Sequence, residues 1–214
     1  MRVVYLLVVV SGLLLGSEAR AELVERDWLA PGDGLLTYDP VNGREWLDFP
    51  VSRLSQFGGT ELEGNTLANA VTLAKQELLP GGLFEGFTLA VREDVIGLVD
   101  AAGVDLATRQ ARRDTADQMA RLTGLLGGSR IIGVLNETNP DFDGVGADQP
   151  YFAATLRVSG SFSRREARLE ISPSSDGFTT SGSGLSLYRQ AVPEPTTCCL
   201  VLVGLAASSL RSRC

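Results

Sequence analysis

The sequence contains no histidine, and its three cysteines, Cys198, Cys199 and Cys214, all lie in the C-terminal tail. Without histidine there is no Ser-His-Asp or Cys-His mechanism, none of the usual zinc sites, and no imidazole for proton transfer near neutrality. With no cysteine between residues 22 and 192, that stretch can form no disulfide and must hold together through its apolar core. Positive charge is scarce as well. The chain has 26 acidic and 19 basic residues; setting aside two acidic and four basic residues at its ends leaves 24 against 15, a net charge of −9 for residues 22–192. Such a surface repels phosphate backbones, and no basic run offsets it, so nucleic acid is not an expected partner. Apolar runs of membrane-spanning length are also missing. Two shorter ones stand at the ends, and they organise the chain.

At the N-terminus Met1-Arg2 is a short basic region, Val3 to Leu15 an apolar stretch, and Ala19-Arg20-Ala21 a small-x-small site. This is the order of a secretory signal peptide, cut by signal peptidase after Ala21. At the other end Pro193-Glu194-Pro195 precedes an uncharged run from Thr196 to Leu210 and then Arg211-Ser212-Arg213-Cys214. The prolines keep the first segment extended and accessible, and the arginines favour the cytoplasmic side of a bilayer. At about 1.5 Å per helical residue the apolar run reaches roughly 22 Å against a hydrocarbon core of about 30 Å, so it spans by thinning the bilayer. Cys198 and Cys199 at the membrane edge are lipidation candidates. The domain organisation that follows is a signal peptide over 1–21, one extracytoplasmic domain over 22–192 and a sorting tail over 193–214.

The tail resembles the PEP-CTERM sorting signal of exported bacterial proteins. That resemblance implies recognition of Pro193, Glu194 and Pro195 by an exosortase-type membrane transpeptidase and an inner-membrane anchor before processing. The destination it implies is the cell envelope, cell surface or biofilm matrix of a bacterium that makes extracellular polysaccharide.

Within the domain, Leu35 to Asp39, Pro40-Val41-Asn42-Gly43 and Arg44 to Phe49 read as strand, turn, strand, since Asn-Gly tolerates the positive φ of a hairpin connection. The run Asp-Pro-x-Asn-Gly-x-Glu-Trp-Leu-Asp resembles a hairpin common near the start of PEP-CTERM proteins, and also the opening of C-type-lectin-like domains. Such an architecture would make the protein a carbohydrate-binding module, the alternative to a non-catalytic surface protein. Trp46 is read as a core anchor. Glu45 and Asp48 suggest a glycosidase pair, but strand side chains alternate, so residues three apart point to opposite faces and no catalytic dyad is expected.

Asn65 is placed to cap a helix with Leu67, Ala70, Val71, Ala74 and Leu78 at helical spacing, ended by Pro80-Gly81-Gly82. Gly86 to Val95 leads into Leu98, Val99 and Ala102 of a second helix, closed by Gly103. It resembles a Gly-Trp-Arg-x-Ala-Thr-x-x-Glu-Val segment of the same proteins, with Val91 where their threonine would cap the helix. That change costs about 1 kcal/mol unless Asp94 or water substitutes. Thr108 to Leu126 is predicted as one helix, its Arg109, Arg112 and Arg113 a solvated face with local ion pairs.

Arg130 to Leu135 reads as a strand, and Asn136 to Pro150 as a polar loop whose Asp141, Asp143 and Asp148 are weak calcium candidates, lacking the full set of EF-hand ligands. Alternation from Phe152 to Val158 and from Ala167 to Ile171 predicts antiparallel strands with one wet face, and Leu185 to Arg189 a closing strand. The expected fold class is α+β: an N-terminal hairpin, two or three helices and a C-terminal antiparallel sheet.

Overall fold

The hairpin forms as its turn chemistry predicts. Asp39 accepts hydrogen bonds from the backbone N–H of Val41 (2.9 Å) and Asn42 (3.1 Å) and from Asn42 Nδ2 (2.6 Å), while Gly43 takes the left-handed φ of +65° that closes the loop. The computed structural model describes residues 22–52, 67–138, 148–160, 165–175 and 183–192. The elements run β1 (Val24–Arg26), β2 (Leu36–Asp39), β3 (Arg44–Leu47), α1 (Leu67–Gln76), β4 (Thr88–Leu89), α2 (Arg92–Ala101), α3 (Arg109–Asp114), α4 (Ala116–Leu125), β5 (Arg130–Thr138), β6 (Asp148–Ser159), β7 (Glu166–Ser175), β8 (Ser183–Leu185) and β9 (Leu187–Gln190). The α+β class is thus the observed one. Among the described residues no helix is long and apolar enough to cross a membrane.

Two sheets share the strands. The first has the order β1-β2-β3-β9-β4, antiparallel throughout, and the second β7-β6-β5-β8. Strand alternation gives the first sheet two apolar faces. Trp46 joins a core with Leu98 and Val99 of α2, Met119 and Leu122 of α4, and Leu156 of β6. Leu36 and Leu47 point the other way, into a second core with Val71, Ala74, Phe84, Phe87, Leu185 and Leu187. Both cores are fully closed at their centres, with Trp46 1% and Phe84 0% exposed.

Backbone bonds stitch the sheets together. Ala90 donates to Ser186 O (2.7 Å) and accepts from Asn136 N–H (2.8 Å), and Ser186 donates to Val134 O (3.1 Å). Ser186 is where the expected closing strand divides. Residues 183–185 pair parallel with β5, and residues 187–190 pair antiparallel with β3 and β4 in the other sheet. The C-terminal sheet is therefore not purely antiparallel. A strand that serves two sheets must change partners somewhere, and it does so at a small residue.

Thr108 to Leu126 likewise divides, into α3 and α4. At the break Thr115 Oγ1 bonds Ala111 O (2.8 Å) and accepts from Asp105 N–H (3.1 Å), so its side chain competes with the helical ladder. The N-terminus of α2, left without a threonine cap, is served by Asp94 Oδ2 on Val91 N–H (2.9 Å) and by Glu137 Oε1 of β5 on Arg92 N–H (2.6 Å). The outward face of the second sheet is drier than expected. Ala153 and Thr155 are buried there, near α1, whose Lys75 lies 4.9 Å from the Tyr151 ring centre.

Candidate functional site

Strand β3 sends Glu45 and Asp48 to opposite faces, as alternation requires, and each is then occupied in its own way. Glu45 stands opposite Tyr38 on one side and Arg189 on the other. Its Oε1 accepts from Arg26 Nη1 (3.0 Å) and its Oε2 from Arg189 Nε (2.8 Å). The guanidiniums lie on aromatic rings: Arg26 is 3.7 Å from the Tyr38 centroid and Arg189 5.1 Å from that of Phe87. Trp28 completes the group, stacked on Phe84 at 6.0 Å and edge-on to Phe87 at 5.6 Å. The result is a half-buried surface of two arginines around one carboxylate, bordered by the Trp28 and Tyr38 rings.

Asp33 fixes the loop that carries Trp28. Its carboxylate accepts the backbone N–H groups of Trp28 (2.9 Å), Leu29 (2.7 Å), Ala30 (2.8 Å) and Leu35 (3.3 Å). Desolvation acts to raise the pKa of Asp33, but these four donors outweigh it and hold the carboxyl below its ordinary 3.8. Replacing Asp33 by alanine is expected to free this loop, raising amide exchange at residues 28–30 at least tenfold while exchange in α4 stays unchanged.

Asp48 lies on the Trp46 face and is 7% exposed. Burial, then the charge of Glu25, push its carboxyl from the ordinary 3.8 to about 7, with Asp33 adding to the rise and the Thr37 hydroxyl opposing it. Asp48 Oδ1, Thr37 Oγ1 and Trp46 Nε1 are buried without a hydrogen-bond partner. Thr37 is directly opposite Trp46 in the register, so the three orphaned polar atoms share one face. A protonated Asp48 can donate toward Thr37, which an ionised one cannot. Asp48 is almost enclosed, and Glu45 is engaged on both oxygens by arginines.

Arg109 and Arg113 also find a distant partner. Both donate through Nε to Glu166 Oε1 on β7, at 2.9 and 3.3 Å, rather than forming local pairs. Hydrogen bonding by Arg109 chiefly lowers the pKa of Glu166.

Pro193, Glu194, Pro195, Ala19, Ala21, Asp141 and Asp143 lie outside the described residues, as does the side chain of Asp148, whose backbone opens β6 opposite Ser175. Among the described residues, no group of three or more Asp, Glu, Cys or His side chains gathers for a metal ion. Arg26 and Arg189 were not foreseen as neighbours of Glu45. Only the pairing of β1 and β9 with the hairpin brings them there.

No protein-family model, curated protein or solved structure matches this chain.

Proposed function

We propose that the chain is a non-catalytic exported surface or matrix protein, sorted through Pro193-Glu194-Pro195 and anchored in the inner membrane by the segment that follows. The observation that carries the non-catalytic part is the state of its two best-placed carboxyls, Glu45 bound on both oxygens and Asp48 sealed in the core. The buried Leu23, 6% exposed, agrees with cleavage after Ala21, which leaves this core residue in the mature chain. Deleting Pro193 to Pro195 should leave the membrane-anchored precursor unprocessed in cells. Identical mature masses with and without the three residues would overturn the sorting assignment.

A second reading, a carbohydrate-binding module, is favoured by the half-buried Trp28 and Tyr38 rings beside Arg26 and Arg189. Sugars stack on such rings while guanidiniums donate to their hydroxyls. Trp28→Ala should weaken glycan-array binding about tenfold, equivalent to about 1.4 kcal/mol. A flat array response from the unmodified protein removes this reading. Calcium enters only through Asp141, Asp143 and Asp148, and chelation tests it.

A further inference from the structure

The register of the second sheet places three arginines in one line. Arg130 of β5 is directly opposite Arg157 of β6, which is directly opposite Arg168 of β7. Side chains paired in this way share a face, with strands about 4.8 Å apart, and like charges directly opposite one another are destabilising. The carboxylates nearby do little to offset them. Glu170 Oε2 approaches Arg157 Nη2 only to 3.9 Å, and Glu166 Oε2 approaches Arg168 Nη2 only to 4.0 Å. Glu166 holds Arg109 and Arg113 on its other oxygen, Oε1, so one carboxylate is shared among three arginines. Arg130 makes no ion pair among the described residues, and Arg157 Nε is buried without a hydrogen-bond partner. Arg168 is open to solvent, its side chain 52% exposed, and Arg157 is partly so.

The row is only partly neutralised by Glu166 and Glu170, and a ligand bearing evenly spaced oxyanions would complete its neutralisation. We propose that the Arg130–Arg157–Arg168 row binds an acidic polysaccharide whose carboxylates meet successive guanidiniums across the strands. Guanidinium pairs with carboxylate through parallel N–H···O bonds, and the repeat of one sugar ring is comparable to the about 4.8 Å strand spacing. Single-stranded nucleic acid fits less well, because it is held by aromatic stacking and the adjacent cross-strand row is Ile132, Thr155 and Glu170. The site stands on a different sheet from Glu45 and does not depend on the sorting signal.

The test uses the full chain in detergent, with polygalacturonate as probe and neutral dextran, single-stranded DNA and anionic lipid vesicles alongside. Binding to polygalacturonate should fall steeply as salt rises from about 0.05 to about 0.5 M. It should weaken at least tenfold in Arg130→Gln/Arg168→Gln, whose unfolding midpoint should hold or rise because repulsion is relieved. Arg157→Lys keeps the charge but loses the planar fork, and should weaken binding less than the double variant. Absence of polygalacturonate binding, equal binding by the double variant, or tighter binding to DNA or vesicles would overturn the proposal. Precursor processing in cells is a separate readout, so failure here is distinguishable from failure of the sorting assignment.

Discussion

Gly133→Ala is expected to destabilise the protein by about 2–3 kcal/mol, toward the upper end of what one added core methyl costs. The two sheets meet at this residue. A Cβ at Gly133 would collide with Ser186 Oγ and come within 2.5 and 2.7 Å of the Phe49 ring. Its parallel partner, Gly184, would place a Cβ 2.8 Å from Ser52 Oγ and 3.1 Å from Phe49 O. The paired glycines of β5 and β8 thus leave a flat bed on which residues 49–52 cross from the hairpin, held there by Ser52 Oγ to Leu185 O (3.0 Å) and Leu185 N–H to Ser52 O (3.2 Å). None of these neighbours is the free end of a flexible side chain, since Ser186, Phe49 and Ser52 are all buried. Chemical denaturation should show the loss, with Gly133→Val unfolded or nearly so. Gly124→Ala is the matched reference. A Cβ there meets nothing within 4 Å in the exposed face of α4, so that change should stabilise by about 0.5–1 kcal/mol. Equal midpoints for Gly133→Ala and the unmodified protein would mean that the sheets do not meet as described.

That junction was illegible in the sequence, and the reason is physical. The hairpin could be read because Asn42-Gly43 and the flanking apolar residues act within a few positions of one another. Alternation in β6 could be read for the same reason. Gly133 and Gly184, by contrast, acquire meaning only when the chain brings Phe49 between them. The split at Ser186 is similar, since Leu185 to Arg189 has a single uninterrupted pattern and nothing local says that its halves serve different sheets. The break at Thr115 did have a local cause, a threonine able to return its hydroxyl to Ala111 O, but the apolar spacing of Met119, Leu122 and Leu126 masked it. The neighbours of Glu45 and the arginine row are matters of register. No window of sequence aligns Arg130 with Arg157 and Arg168, or puts Arg26 and Arg189 on either side of one carboxylate. Pairing tells which strand residues are three apart and opposed, as for Glu45 and Asp48, but not which distant residues they will meet.

Asp48→Asn should make the protein more stable at pH 8 and leave it nearly unchanged at pH 4. With a folded value of about 7 and an ordinary value of 3.8, the native state holds the Asp48 proton over a range in which the unfolded chain has released it. Stability is therefore unaffected by this group below about pH 3.8, declines as pH rises toward 7, and stays reduced above that. At 1.36 kcal/mol per unit the ceiling is about 4 kcal/mol, and the expected gain at pH 8 is about 2–4 kcal/mol. The groups facing the carboxyl are consistent in sign. Glu25 and Asp33 repel its charge, and a Cβ on Gly127, just beyond the C-terminal end of α4, would lie 3.8 Å from Asp48 Oδ2, where the helix dipole disfavours an anion. The window is unusually clean because the chain has no histidine. Asp33 and Glu166, both lowered, contribute stability that is lost only as pH falls through their own folded values, well under 5. The α-amino group aside, a decline between pH 5 and 8 that vanishes in Asp48→Asn belongs to this carboxyl. Denaturant midpoints at half-unit steps across that range measure it, and a variant less stable than the unmodified protein at pH 8 would show that Asp48 is held as an anion after all. The outcome also bears on chemistry. A gain of stability in Asp48→Asn would assign the raised affinity of this carboxyl for a proton to its burial and to the charge of Glu25.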